Sequence, residues 1–143
     1  MKRYGVRRLC FVLGLVTLGV IFALSLGAVM TAPDDWENKA LPGVYEIWRM
    51  NADTIALVEP QGEFLGRNVV ESYVFRVAYN DEYIFVQQAE SRTAVKEGAA
   101  AFYIVEVASG AVFGGYTEAE FETHEPVAAL TEFPAWQDAT KKP

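Results

Sequence analysis

An uncharged, strongly apolar run spans residues 9–30 and reads LCFVLGLVTLGVIFALSLGAVM. At a rise of about 1.5 Å per residue, a helix of this length reaches about 33 Å, which is enough to cross a hydrocarbon core of about 30 Å. The apolar core of a signal peptide is shorter, at about 7–15 residues, and ends at a small-x-small cleavage site. Cleavage options here are poor, because Pro33 follows Ala32 and the triplet at 25–27 lies inside the run. We therefore expect an uncleaved transmembrane anchor, with a cleaved signal as the alternative.

Beyond the anchor, aromatic and β-branched residues alternate with polar ones in short segments, which is the pattern of β-strands. Breaks in the pattern coincide with turn residues, and Asn80-Asp81 and Ser109-Gly110 are typical of tight hairpin turns. The predicted strands cover residues 45–51, 54–59, 68–79, 82–88, 101–108 and 111–116. In the longest of these, Glu71 interrupts an otherwise apolar strand face.

Two signals predict the structure after the last strand. Thr117 and Glu120 have the spacing of a capping box, so a short helix should follow, with Phe121 facing inward. We expect this helix to end before Pro126. The apolar residues Leu130, Phe133 and Trp136, spaced three apart, then predict a C-terminal strip that docks on the sheet.

These elements give a mainly β fold class: an N-terminal transmembrane helix followed by a small antiparallel β-meander domain of five or six strands with a C-terminal α-helix. The predicted segments are a basic cytoplasmic region at 1–8, the anchor at 9–30, a linker at 31–42, the β-rich domain at 43–138 and a disordered tail at 139–143. Phe75, Tyr83, Phe85, Ile104 and Val105 should be mostly buried, and Arg92, Lys96 and Glu97 exposed.

The charge is distributed unevenly along the chain. Lys2, Arg3, Arg7 and Arg8 precede the apolar run, and no acidic residue occurs before Asp34. Because basic flanks stay in the cytoplasm, we expect a single-pass protein of the cytoplasmic membrane with its C-terminal domain outside. A secreted or periplasmic domain is the alternative if the segment is cleaved. The rest of the chain carries eight of the 12 basic residues and all 19 acidic ones, which argues against nucleic acid as a partner.

Candidate chemistry is sparse in this sequence. Cys10, the single cysteine, lies at the start of the apolar run, and His124 is the single histidine, so a His-based triad or a zinc site lacks partners. We interpret His124 as a surface residue at a helix C-terminus. The acids between residues 118 and 125 are interpreted as a solvated helix face, because positions 118, 120 and 122 point in different directions. Gly114-Gly115 indicates a bulge or a close backbone approach. We therefore expect no catalytic residue, cofactor or metal ion.

Aromatic residues make up 13% of the chain, and most should form the core of the sheet. Interface energy is usually concentrated in aromatic residues and arginine, and Trp48, Arg49 and Arg76 lie on predicted strands. These three are the candidate protein-binding residues. For Trp48 an alternative is open, since the C-terminal strip around Phe133 and Trp136 could cover it.

Four segments together resemble an uncharacterised family of small bacterial exported or membrane-tethered domains. They are Gly43–Arg49 (GVYEIWR), Tyr79–Ile84 (YNDEYI), Tyr103–Val105 (YIV) and Gly114–Phe121 (GGYTEAEF). The resemblance implies a β-rich fold and a bacterial origin. It implies no activity, because the family has none assigned.

The function expected from the sequence is that of a non-catalytic envelope module, which contacts membrane lipid through residues 9–30 and binds another protein or itself. A small cell-envelope inhibitor or immunity-type protein is the first alternative. A hydrolase that uses carboxylates alone is the second.

Overall fold

The computed structural model describes residues 38–63 and 65–141, and the predicted anchor and most of the predicted linker lie outside them. Within these two ranges, no helix has the length and apolarity needed to cross a bilayer. The described residues are mainly β, as predicted. The strands are β1 (Lys39–Ala40), β2 (Glu46–Asn51), β3 (Thr54–Pro60), β4 (Gly66–Val70), β5 (Val74–Tyr79), β6 (Tyr83–Gln88), β7 (Ala101–Glu106), β8 (Val112–Tyr116) and β9 (Gln137–Asp138). The helices are α1 (Arg92–Lys96), α2 (Glu118–Thr123) and α3 (Glu125–Ala128).

The strands form two antiparallel sheets, where the sequence predicted one meander. The first sheet has the order β1-β2-β3-β4, and the second has the order β8-β7-β6-β5-β9. Apolar side chains from both sheets meet in one core, which includes Ile47, Ile55 and Leu57 from the first sheet and Val77, Ile84 and Val105 from the second. The domain therefore contains a two-sheet sandwich in which each sheet covers one face of the other.

A second core lies on the opposite face of the second sheet. It contains Phe85, Phe102 and Ile104 from the sheet and Phe121 from α2, with Phe133 and Trp136 packed against it. The docking of the C-terminal strip is thus confirmed. Strands β6 and β7 are covered on both faces, which explains why they read as nearly continuous apolar segments rather than as alternating ones.

The predicted strand at 68–79 is wrong as a single element. It divides into β4 and β5, which belong to different sheets. The break carries Glu71, which is exposed and accepts a hydrogen bond from the Asn68 side-chain nitrogen at 3.0 Å. A carboxylate on an apolar strand face would be costly to bury, so the chain leaves one sheet at this residue and enters the other three residues later, at Val74.

The predicted domain boundaries also need correction at both ends. Lys39–Ala40, placed in the linker by the sequence, pairs with β2. At the other end, Ala139 belongs to the folded structure: it is 5% exposed and its N–H donates to the Phe75 carbonyl at 3.0 Å. Strand β9 pairs with β5 just before it, so a tail predicted to be disordered from 139 is ordered there by edge pairing.

The turn at Asn80 and the cap at Thr117 are as the sequence predicted, whereas Ser109-Gly110 lies in a five-residue connection, 107–111, and not in a tight two-residue turn. The Asn80 side-chain oxygen accepts hydrogen bonds from the N–H groups of Glu82 and Tyr83 at 2.9 and 2.8 Å, which closes the β5–β6 hairpin. Both halves of the capping box between Thr117 and Glu120 are present at the start of α2. The Thr117 backbone N–H, followed by its hydroxyl, holds the pKa of the Glu120 carboxyl below its ordinary value.

Gly114 and Gly115 produce both a bulge and a close approach to the backbone, the two alternatives predicted for them. The β7–β8 register shifts between Phe102 and Tyr103, and Gly115, with φ of 77°, occupies the bulge. The Tyr103 ring lies directly against Gly114, where a Cβ would overlap it. The ring covers the glycine, and this fixes the register of the edge strand β8.

Candidate functional site

Trp48 lies on the outer face of the first sheet, opposite to the core-facing Ile47. Its ring lies close to Val58 and Gly66, and its indole N–H donates to the Glu46 carboxylate at 2.7 Å. The side chain is half-buried. The C-terminal strip does not cover it, because that strip packs on the second sheet.

Arg49 follows on the other face of the same strand, because side chains alternate along β2. It lies near the buried Tyr73. Burial raises the pKa of the Tyr73 phenol above its ordinary value, and the positive charges of Arg92 and Arg49 offset part of this increase. Both cations therefore oppose the effect of burial on this phenol. Arg49 is half-buried, so its environment is that of a group at the margin of the core.

Arg76 is exposed and lies on the outer face of the second sheet. Asp138 is its cross-strand neighbour, but the Asp138 carboxylate accepts hydrogen bonds from the Thr140 N–H at 2.9 Å and the Thr140 hydroxyl at 2.6 Å. Burial raises the pKa of Asp138, yet these bonds and Lys141 outweigh burial and hold that pKa below its ordinary value. Trp48, Arg49 and Arg76 thus occupy three different faces, and the fold does not bring them together.

Arg76 instead belongs to a groove on the outer face of the second sheet. The groove consists of two adjoining cavities of about 510 and 330 Å³, which share Gln87, Phe102 and Glu118 in their linings. We call the larger cavity, which contains Arg76, the arginine end. The smaller one, which contains Trp136, is the tryptophan end. The segment after α1, which includes Ala99, lines the arginine end.

Gln87 lies in the part of the groove where the two cavities meet. It is the buried polar residue of the described ranges, with 8% of its surface exposed, and it lines both cavities. Its side-chain amide makes no hydrogen bond to another described residue, whereas the next residue, Gln88, donates to the Ser72 carbonyl at 3.0 Å. Among the described residues, the buried side-chain atom without a partner is Nδ1 of His124, so the Gln87 amide is not sealed from solvent but faces the open groove. The Gln87 amide is therefore available to a molecule in the groove.

Two carboxylates line the tryptophan end. Glu118 and Glu122 are one helical turn apart on α2 and are both exposed. The interpretation that the acids of this helix point in different directions is thus wrong for this pair, since residues four apart share a helix face. Glu120 is different, because its carboxylate is committed to the capping box.

Aromatic rings form much of the remaining lining of the tryptophan end. Trp136 lies 5.3 Å from Phe133 and 6.3 Å from Phe102, measured between ring centroids. Phe133 in turn lies 4.9 Å from the fully buried Phe85. The cluster therefore connects the groove directly to the second core, which holds its rings in fixed positions.

His124 is less exposed than the sequence predicted. It ends α2, but its ring packs against Phe113 and Tyr116 at centroid distances of 5.8 and 5.1 Å. Its Nδ1 atom is buried without a hydrogen-bond partner among the described residues. The His124 ring therefore packs the end of α2 against the edge strand β8. In the described ranges, no group of three or more histidine, cysteine or acidic residues is placed to hold a metal ion.

A model of a protein family of unknown function, DUF3997, matches residues 42–129, which is more than half of the chain. The chain belongs to the DUF3997 family. The resemblance to an uncharacterised family is thereby confirmed, and the match includes all four segments that carry it. No curated protein and no solved structure gives a significant match. The DUF3997 match includes Gln87 and the two groove carboxylates, and it ends before Phe133 and Trp136.

Proposed function

We propose that the chain is a membrane-tethered domain held outside the cytoplasm, which binds another protein without catalysing a reaction. The uncharged run at 9–30 and the basic residues before it support the location. The groove on the second sheet supports the binding role. A small envelope inhibitor would use the same surface, and the identity of the partner distinguishes the two.

One observation carries the binding role: Gln87, which is 8% exposed, lines an open groove without a hydrogen bond to another described residue. The Gln87 amide is not among the buried atoms left without a partner, so it is open to the groove, where water or a ligand can bond to it. A chain that only had to fill a core could place an apolar residue at this position of β6. A ligand that hydrogen-bonds to this amide explains why a polar residue is there.

A carboxylate-only hydrolase is less well supported by the same groove. Such an enzyme pairs two acids across a cleft and buries one so that its pKa is raised. Glu118 and Glu122 come from one helix and are both exposed. Their placement is suited to attracting a cation rather than to donating a proton.

The proposed topology predicts the behaviour of a reporter fused after Pro143. An alkaline phosphatase fusion should be active and a cytoplasmic fluorescent reporter at the same position dark, because the four basic residues before the apolar run remain inside. As a control, basic residues added directly after the run should reduce phosphatase activity. N-terminal sequencing that found mature protein beginning at Ala28 would contradict the anchor and favour a cleaved signal.

The binding role predicts that a groove variant loses its partner without losing stability. Tagged full-length chain should be expressed in its own bacterium, crosslinked and purified, and its specific partner band compared between variants. Arg76→Ala should lose most of the band at an unchanged thermal midpoint, since Arg76 is exposed and makes no ion pair with a described residue. Arg92→Ala, also exposed but outside the groove lining, is the matched control.

Trp48→Ala should show the reverse pattern in the same experiment. The ring is half-buried over Val58, so its removal should lower the thermal midpoint while the partner is retained. Loss of the partner from Trp48→Ala at unchanged stability, with full retention by Arg76→Ala, would move the binding surface to the first sheet.

A further inference from the structure

We propose that the groove accepts an extended peptide segment carrying a lysine or arginine side chain, with the cationic group held at the tryptophan end. This inference rests on the proposed function and names the chemistry of the partner. Three features of the groove support it: the unpaired amide at its centre, the charge of its lining and the aromatic rings beside that charge.

Gln87 selects for a peptide backbone. Its carboxamide offers N–H donors and a carbonyl acceptor side by side, which is the complement of a peptide bond. A partner backbone in an extended conformation can offer this amide both a carbonyl and an N–H in place of water. The remainder of the sheet surface there is apolar, since Phe102 lies next to Gln87 in the lining of both cavities. Hydrogen bonding at this point therefore depends on one side chain.

The carboxylates at the tryptophan end favour a cationic ligand. Glu118 and Glu122 line this cavity, and no lysine or arginine of the described ranges does. Neither carboxylate makes an ion pair or hydrogen bond with another described residue. An acidic segment would meet two like charges in a chain whose net charge is already −7. A basic side chain would gain charge-assisted hydrogen bonds there.

The rings beside the carboxylates favour the same ligand. Trp136 is half-buried and lines the same cavity as the acids of α2. A cation over an indole ring is worth about 0.5–2 kcal/mol, and the methylene groups of a lysine or arginine side chain can pack on the adjoining phenyl rings. Arg76 at the far end is then available to a carboxylate further along the same segment.

The test uses the full chain in detergent micelles with ¹⁵N-labelled tryptophan. The chain has three tryptophans, and the indole resonances of Trp48 and Trp136 are assigned by their phenylalanine variants. The probes are terminally blocked Ala-Gly-Lys-Gly-Ala and the same peptide with norleucine or glutamate in the centre. The lysine peptide should shift the Trp136 resonance and leave Trp48 unmoved. Its dissociation constant should be lower than that of the norleucine peptide by about tenfold or more, as expected for a charged hydrogen bond. The glutamate peptide should give no saturable shift.

Variants separate the contribution of the two carboxylates from that of the Gln87 amide. Glu118→Gln with Glu122→Gln should abolish the preference for lysine over norleucine, and the control pair Glu82→Gln with Glu90→Gln, exposed and outside the groove, should keep it. Gln87→Met, of similar volume, should weaken both peptides equally at an unchanged thermal midpoint.

Three results would overturn the inference. If norleucine or glutamate peptides bind as tightly as the lysine peptide, the cationic specificity is wrong. If no peptide moves the Trp136 resonance, the groove is not a peptide site. If the Gln87→Met variant binds both peptides normally, the amide plays no part. In each case, partner loss from Arg76→Ala would still stand as separate evidence for the proposed function.

Discussion

Replacing Phe85 by alanine should lower the free energy of unfolding by about 3–5 kcal/mol, the range typical of a large aromatic residue removed from a packed core. Phe85 is fully buried and belongs to the second core. Its ring contacts Phe121 of α2 at 5.9 Å and Phe133 of the C-terminal strip at 4.9 Å between centroids. One side chain thus joins the sheet, the helix and the strip, and its loss should loosen all three.

Equilibrium denaturation of the full chain in mild detergent, followed by circular dichroism, measures this effect. Phe113→Ala is the matched control, because Phe113 is 40% exposed on the edge strand β8. Its removal should cost less than about 1 kcal/mol, as is usual for a residue largely outside the core. A change at Phe85 of only ~0.5 kcal/mol would mean that the second core does not hold the C-terminal strip on the sheet.

Short-range chemistry is the part of the fold that the sequence predicted well. The turn at Asn80 and the capping box at Thr117 depend on side chains that bond to backbone groups two or three residues away, so the local sequence decides them. The inward position of Phe121 follows from the same cap, because the cap fixes where the helix begins. Strand positions were predicted to within a few residues for the same reason.

The assignment of strands to sheets could not be predicted in this way. Alternation shows which residues share a face, but two strands in different sheets have the same alternation as two in one sheet. The signal that did exist was Glu71, whose position on an apolar face was already inconsistent with a continuous strand. Strand β9 is two residues long, and its pairing with β5 depends on the docking of the strip before it, so the sequence around it carries no strand pattern of its own.

The groove was missed because its parts are distant in the sequence and each is ordinary by itself. Glu118 and Glu122 are typical of a solvated helix, and only the packing of α2 on the second sheet brings them into the same cavity as Trp136. Gln87 carried little signal, since Gln88 follows it and two polar residues at the end of an apolar strand are ordinary. Of the three residues proposed from the sequence, Arg76 lines the groove, whereas Trp48 and Arg49 do not.

A partner bound in the groove should crosslink to position 136 and not to position 48, with an all-or-none difference in yield. Both positions carry half-buried tryptophans, one in the groove and one on the outer face of the first sheet. The photoreactive residue p-benzoylphenylalanine is aromatic and of similar bulk, so each replacement keeps most of the packing. A difference in crosslinking between the two positions therefore shows which surface the partner contacts.

The most direct measurement is thus the yield of crosslinked product after irradiation of living cells that carry the photoreactive residue at position 136 or at position 48 of the full chain. If the partner binds in the groove, position 136 should give a product that disappears when Arg76→Ala is added, and position 48 should give none. A product from position 48 alone, or one from position 136 that Arg76→Ala leaves unchanged, would contradict binding in the groove.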